Sequence, residues 1–228
     1  TPEIRVLLHD NIKEIQIEIN KPYSISNFNN HEKLADKTGL KKSILYLKSG
    51  DFRTRSLSSD TAHNAPTTFV KANGNISIFA NNGYVKLNNS TYSGKVILIP
   101  KDNDKFSILE EIGIEGFLPG VVEGEMPIMW NNDALQAQVI AVRTYVLYKR
   151  KIKGNTLYHI NKLDLAYKGS YMNQSKSKEI VDKTRGIVMV YDWNLFPGYF
   201  HSTCGGHTED INLVFNLRSI PPLSGVEC

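Results

Sequence analysis

Cysteine is scarce in this 228-residue chain, with two, and so is tryptophan, also with two. With Cys204 and Cys228 alone, a disulfide-dense scaffold is excluded, while one bridge, a metal site or two free thiols stay open. No apolar run approaches the roughly 18–20 residues of a membrane span. A membrane anchor, if the protein has one, would lie outside this sequence, which opens on Thr1 rather than Met. Charge of one sign is lacking too: 27 Lys and Arg stand against 23 Asp and Glu, a net +4 spread along the chain. That mild excess suits a solvated surface or affinity for an anionic polymer. A stripe of cations with interleaved aromatics is missing, so a nucleic-acid partner is not expected. Also missing are the Gly-x-x-x-x-Gly-Lys-Ser/Thr loop, the dinucleotide fingerprint, His-Glu-x-x-His and Gly-x-Ser-x-Gly. Their absence disfavours nucleotide-driven chemistry, zincin proteolysis and the familiar serine hydrolysis.

What is present is ordinary globular material, 41% hydrophobic and 22% charged, long enough to bury a core. Residues 1–104 read as a strand-rich region. "EIQIEI" alternates apolar and polar, placing Ile15, Ile17 and Ile19 on one face. Turn signals at Asn73-Gly74, Asn82-Gly83 and Ser93-Gly94 imply mostly antiparallel pairing. After "PKDND" the texture changes. "WNNDALQAQVIAVRTYVLYKRKIKGN" predicts a helix capped by Asn131 or Asn132, closed by Gly154-Asn155 and apolar nearly all round, hence buried. A second helix is predicted at "NQSKSKEIVDKTRG", and a hairpin turning at "DWN" follows. The expected class is α+β: a strand-rich N-terminal half, then residues 105–228 built around one buried helix plus a hairpin.

Three places carry candidate chemistry. In "FLPGVVEGEMPIMW", Glu125 is flanked by Met126, Pro127 and Trp130. Apolar company disfavours the ionised form, and a protonated carboxyl is a general acid of the kind glycosidic cleavage needs. The bland alternative is a helix cap or a partner for lysine; Glu123 is the alternative acid. Arg143 sits mid-helix among Ala141, Val142 and Val146. It is either a structural ion pair, a side chain reaching out to water, or a clamp for polar substrate. Pairing with Glu125 would spoil an acid, so other partners, such as backbone carbonyls or substrate, are expected. The third place is "YFHSTCGGHTED", with Tyr199, His201, Ser202, Thr203, Cys204 and His207. His201, Cys204, His207 and Cys228 are a conceivable zinc set. A Cys204–Cys228 disulfide would instead close about 24 residues and contribute a few kcal/mol. A cysteine nucleophile with a histidine base is the remaining option.

Taken together, "FLPGVVEGEMPIMWNNDALQAQVIAVRTYVL", "KTRGIVMVYDWNLFPGYFHSTCGGHTED" and "PPLSGVEC" resemble the stage II sporulation protein D (SpoIID) family. The likeness covers roughly residues 105–228. It implies an extracytoplasmic, cell-wall or periplasmic lytic transglycosylase acting on peptidoglycan glycan strands, with Glu125 of Glu-Met-Pro as catalytic acid. It also implies that Arg143, Tyr199, His201, Ser202 and Thr203 bind substrate. Related members are amidase enhancers, so the alternative is a wall-binding module that stimulates a cell-wall amidase. No cofactor is implied. The family often has Cys-Gln before its Tyr-x-Gly, where this chain has Leu165 and Ala166. His159 therefore lacks the cysteine with which some members hold zinc.

Overall fold

The computed structural model describes residues 1–57, 66–71, 74–170 and 175–228. Asn73 of the expected Asn73-Gly74 turn, and Asn173 and Gln174 at the start of the expected second helix, lie outside those residues. The chain is α+β, as its patterning predicts. Two large sheets share one hydrophobic core with the helices that follow them.

The first sheet runs β13 (Ile160–Asn161), β1 (Glu3–Ile12), β12 (Lys105–Gly113), β11 (Lys95–Lys101), β8 (Ile76–Ala80), β3 (Tyr23–Asn27), β4 (Lys33–Lys37). The second runs β10 (Ser90–Tyr92), β9 (Val85–Leu87), β2 (Glu14–Ile19), β5 (Leu40–Lys48), β6 (Asp51–Ser56), β7 (Thr67–Lys71). Pairing is antiparallel throughout except at the short edge strand β13, which lies parallel to β1. Side-chain alternation sorts the core. Ile4, Val6 and Leu8 of β1, Val96 and Leu98 of β11, and Phe106 and Ile108 of β12 face the main core. Leu7, Ile97, Ile99 and Leu109 form a second cluster on the opposite face with Phe28 and Tyr158. Ile15, Ile17 and Ile19 share a buried face as expected. The boundary expected after residue 104 falls in the turn joining β11 to β12, and both strands lie in the same sheet. One sheet therefore spans the two halves that composition separates.

Helix α2 (Asn132–Lys153) begins and ends where its caps predict. Asn131 accepts the Asp133 N–H at 2.8 Å, and Gly154 closes it at φ 55°. Its burial is one-sided rather than all-round: Leu135, Val139, Val142 and Val146 are buried, Ala134 and Ala137 are exposed, and Ile140 and Ala141 are half-buried. Alanine is small and weakly apolar, so three alanines on the outer side leave that face tolerable in water. Helix α3 (Ser175–Lys183) follows. The predicted hairpin is β14 (Val190–Tyr191) with β15 (Asn194–Leu195), turning through Asp192 and Trp193, both at positive φ.

Local pattern does not predict α1 (Ile114–Glu125), which has three glycines and Pro119 in its 12 residues. Gly and Pro disfavour helix interiors, but packing overrides propensity here. Phe117, Leu118, Val121 and Val122 are fully buried, and Gly116, Gly120 and Gly124 recur at every fourth position on one face. The backbone of residues 165–170 lies directly on that face. A Cβ at Gly120 would stand 1.9 Å from the Gly169 carbonyl oxygen, and one at Gly124 would stand 1.6 Å from that of Ala166. At Gly116 the nearest atom would be the flexible Ile112 Cδ1, 3.2 Å away.

Two substitutions on one helix should therefore differ in sign. Gly120→Ala is expected to destabilise by about 1–3 kcal/mol, although Ala outranks Gly in a helix by about 1 kcal/mol. Gly116→Ala is expected to be neutral or stabilising. Urea unfolding of both variants checks this, and equal gains in stability would contradict the close approach.

Candidate active site

Glu125 is the last residue of α1, and Met126, in extended conformation, ends the helix. Its carboxylate reaches the overlying loop, where Oε1 accepts the Ala166 N–H at 2.7 Å. Among the described residues no lysine or arginine pairs with it. The apolar company seen in the sequence is largely turned to water: Met129 is 86% and Trp130 54% exposed, whereas Met126 packs against the core. Glu123, the alternative acid, points to another element and accepts the Ser177 hydroxyl of α3. Lysines hold the backbone on either side, Lys168 Nζ on the Glu123 carbonyl at 2.8 Å and Lys176 Nζ on that of Trp130 at 3.1 Å.

The loop over Glu125 is held from below by Glu110, which sits on the inward phase of β12 between Ile108 and Ile112 and is fully buried. Oε2 accepts the Tyr167 hydroxyl at 2.6 Å; Oε1 accepts the Ser170 hydroxyl at 2.6 Å and the Gly94 N–H at 3.0 Å. Burial pushes this carboxyl up from its ordinary range, and the three hydrogen bonds pull it back. The Tyr167 phenol is driven well above its ordinary value, first by burial and then by Glu110. None of these residues was singled out in the sequence. The signal available was an acid on the apolar phase of "FSILEEIG", since Phe106, Ile108, Glu110 and Ile112 share a face.

Arg143 is 1% exposed, and all five of its N–H donors are used inside the protein. Nε and Nη2 form a fork on Glu115 at 3.1 and 2.8 Å. Nη1 reaches the Ile187 carbonyl at 3.1 Å and Thr184 Oγ1 at 3.5 Å, and Nη2 reaches the Val181 carbonyl at 3.4 Å. It avoids Glu125 and bonds carbonyls, as expected, but the role of substrate clamp gives way to that of a strut joining α1, α2 and the end of α3. The guanidinium must bring its partners with it into the core, and no donor is left over for a glycan.

Tyr199 and His201 come together in a cavity of about 400 Å³, lined also by Phe215, Thr208, Leu223 and Val226. Tyr199 stacks on Phe215 with centroids 4.3 Å apart. His201, Ser202 and Thr203 are exposed. The His201 Nδ1–H donates to the Thr203 carbonyl at 2.9 Å. This cavity is walled by α4 (Ile211–Phe215) and residues 222–226, whereas Glu125 is held by the 165–170 loop. Of the expected site residues, Tyr199 and His201 line this cavity and Glu125 does not.

Cys204 and Cys228 form a disulfide, so their sulfurs are not thiolates available to zinc or to a nucleophilic mechanism. His159 does not fit a metal either. Its Nδ1 accepts the Arg5 N–H at 3.0 Å and its Nε2 lies 3.3 Å from the Gly154 carbonyl, so both ring nitrogens are occupied. Burial and then Arg5 push its pKa down, which keeps the ring neutral. Leu165, standing where a cysteine ligand would be needed, is 2% exposed in the core. Among the described residues no group of three His, Cys, Asp or Glu side chains is placed to hold a metal ion.

Residues 102–191 match the family described as SpoIID, stage II sporulation protein. Three relatives are similar to parts of this chain. A Brachyspira hyodysenteriae protein, named only as uncharacterized, is 34% identical over 61% of this chain and 38% of its own length. The amidase enhancer of Bacillus subtilis is 35% identical over 46% of this chain and 14% of its own. Stage II sporulation protein D of B. subtilis is 26% identical over 60% of this chain and 45% of its own. The chain thus spans less than half the length of each of these relatives. None of its described helices is long and apolar enough to cross a membrane.

Removing the carboxylate of the Arg143–Glu115 pair leaves a buried guanidinium without its counter-charge. Glu115→Ala is expected to lower unfolding free energy by about 3–5 kcal/mol, read by urea denaturation. Arg143→Lys should lower stability likewise while leaving glycan affinity of the folded fraction unchanged; a selective loss of affinity would restore the clamp.

Proposed function

We propose that this chain acts on the bacterial cell wall as a peptidoglycan lytic transglycosylase, with Glu125 as its single catalytic acid and base. The observation that carries the reading is the setting of Glu125: a carboxyl at a helix end, oriented by one backbone N–H, with no cation bonded to it among the described residues. The likeness to stage II sporulation protein D supports a cell-wall role.

The chemistry needs only one such group. The Glu125 proton passes to the glycosidic oxygen as the bond between N-acetylmuramic acid C1 and N-acetylglucosamine breaks. The resulting carboxylate then takes the proton of the muramic acid C6 hydroxyl as O6 bonds to C1, giving a 1,6-anhydro end without water. A glycosidase that uses water would need a second carboxylate about 5–9.5 Å away. The free site is open, so drying of the carboxyl falls to the substrate: a glycan strand laid over Met129 and Trp130 would exclude water from Glu125. Tyr199, His201, Ser202 and Thr203 would hold glycan or peptide groups farther along the strand. The site of action is extracytoplasmic, where glycan strands and a Cys204–Cys228 disulfide are both at home.

A second reading has its own support in the relative named amidase enhancer: a wall-binding module that stimulates a cell-wall amidase and cleaves nothing. One variant separates the two. Glu125→Gln should keep the wild-type melting temperature and lower release of anhydro-muropeptides by about a hundredfold or more, measured by mass spectrometry of digested peptidoglycan. Release at the wild-type rate would end the enzymatic reading. Undiminished stimulation of an amidase by the same variant would favour the enhancer.

A further inference from the structure

Glu110 touches neither solvent nor any place where a glycan could lie, yet its hydrogen bonds converge on the loop that meets Glu125. Two of its three donors, Tyr167 and Ser170, belong to residues 165–170. The third, the Gly94 N–H, comes from the turn before β11. Ser170 is bound into the same turn, accepting the Ser93 N–H at 2.7 Å while its own N–H donates to the Thr91 carbonyl at 3.0 Å. The Tyr167 ring is packed by Phe117 of α1, 4.5 Å between centroids, and by Tyr92, 6.2 Å away. Ala166, whose N–H reaches Glu125, directly precedes Tyr167.

We propose that Glu110 and Tyr167 are positioning residues for Glu125: the carboxylate–phenol bond fixes the peptide between Leu165 and Ala166 so that its N–H holds Oε1. Oε2 is then presented outward as the proton-bearing oxygen. The inference rests on the reading of Glu125 as the acid and deepens it. The physical reason is geometric. A peptide plane that rotates or slides carries its N–H off the carboxylate, and a glutamate with free torsions spends little time aligned with the bond it must protonate. Misplacement by about 1 Å is enough to cost about a hundredfold in rate. A glutamate suits position 110 because two acceptor oxygens serve three donors, whereas an amide offers one oxygen and turns its own donors toward the rest.

The test uses the full chain labelled with ¹⁵N. The Ala166 amide shift should follow a carboxyl titration, and that response should vanish in Glu125→Gln. Tyr167→Phe keeps the ring packing and removes only the hydroxyl. It should abolish the Ala166 response and lower kcat on soluble glycan strands by roughly tenfold to a hundredfold, with KM unchanged. Ser170→Ala, which loosens the other arm, should do the same more weakly and serves if Tyr167→Phe does not fold. An Ala166 response and kcat that stay at wild type in Tyr167→Phe overturn the inference while leaving Glu125 as the acid. Wild-type release by Glu125→Gln removes the catalytic reading and the positioning role with it; the Ala166 titration then reports only whether the tether exists.

Discussion

The rest of the molecule is arranged around one close approach, the backbone of residues 165–170 lying on the glycine face of α1. At Gly120 and Gly124 there is no room for even a methyl group. The contact brings main-chain polar groups against a helix surface. It is stable because those groups find partners: the Lys168 N–H donates to the Gly120 carbonyl at 3.3 Å, and the Ala166 N–H to Glu125 at 2.7 Å. Without the glycines the loop would stand off by the width of a side chain, and neither bond would form.

Three buried or half-buried acids in α1 and β12 illustrate how the chain handles charge. Glu115 is matched by a guanidinium, Glu110 by two hydroxyls and a backbone N–H, and Glu123 by a serine hydroxyl. Each has a structural use and a complete or nearly complete set of partners. Glu125 differs in receiving, among the described residues, a single backbone N–H and in standing next to exposed Met129 and Trp130. An acid that is aimed but not neutralised is the one suited to exchanging a proton with a ligand. That contrast within one short segment favours Glu125 over Glu123 more than any feature of its sequence neighbours does.

The aromatic cavity at Tyr199 and Phe215 and the acid at the end of α1 are built by different parts of the chain. That difference in lining is compatible with a wall ligand and with either reading of the chain's role, because binding and cleavage would draw on different residues.

Local pattern was enough for much of this. Alternation in "EIQIEI", the Asn131 and Gly154 caps, and the Asp192-Trp193 turn all depend on neighbours within a few residues, where sterics and capping act. The ordered motifs at 117–147, 183–210 and 221–228 likewise made the SpoIID likeness readable. What remained hidden was decided at long range. Helix α1 contradicts its own propensities, because the burial of Phe117 to Val122 and the glycine contact outweigh them. The fate of Arg143, with partners 28 to 44 residues away, and of Glu125, whose partner is 41 residues on, could not be read from flanking residues. Sequence fixes which groups carry charge and which can lie in a helix or strand; only the folded chain decides which distant donor meets each carboxylate, since hydrogen bonds and desolvation act over a few ångströms of space and take no account of separation along the chain.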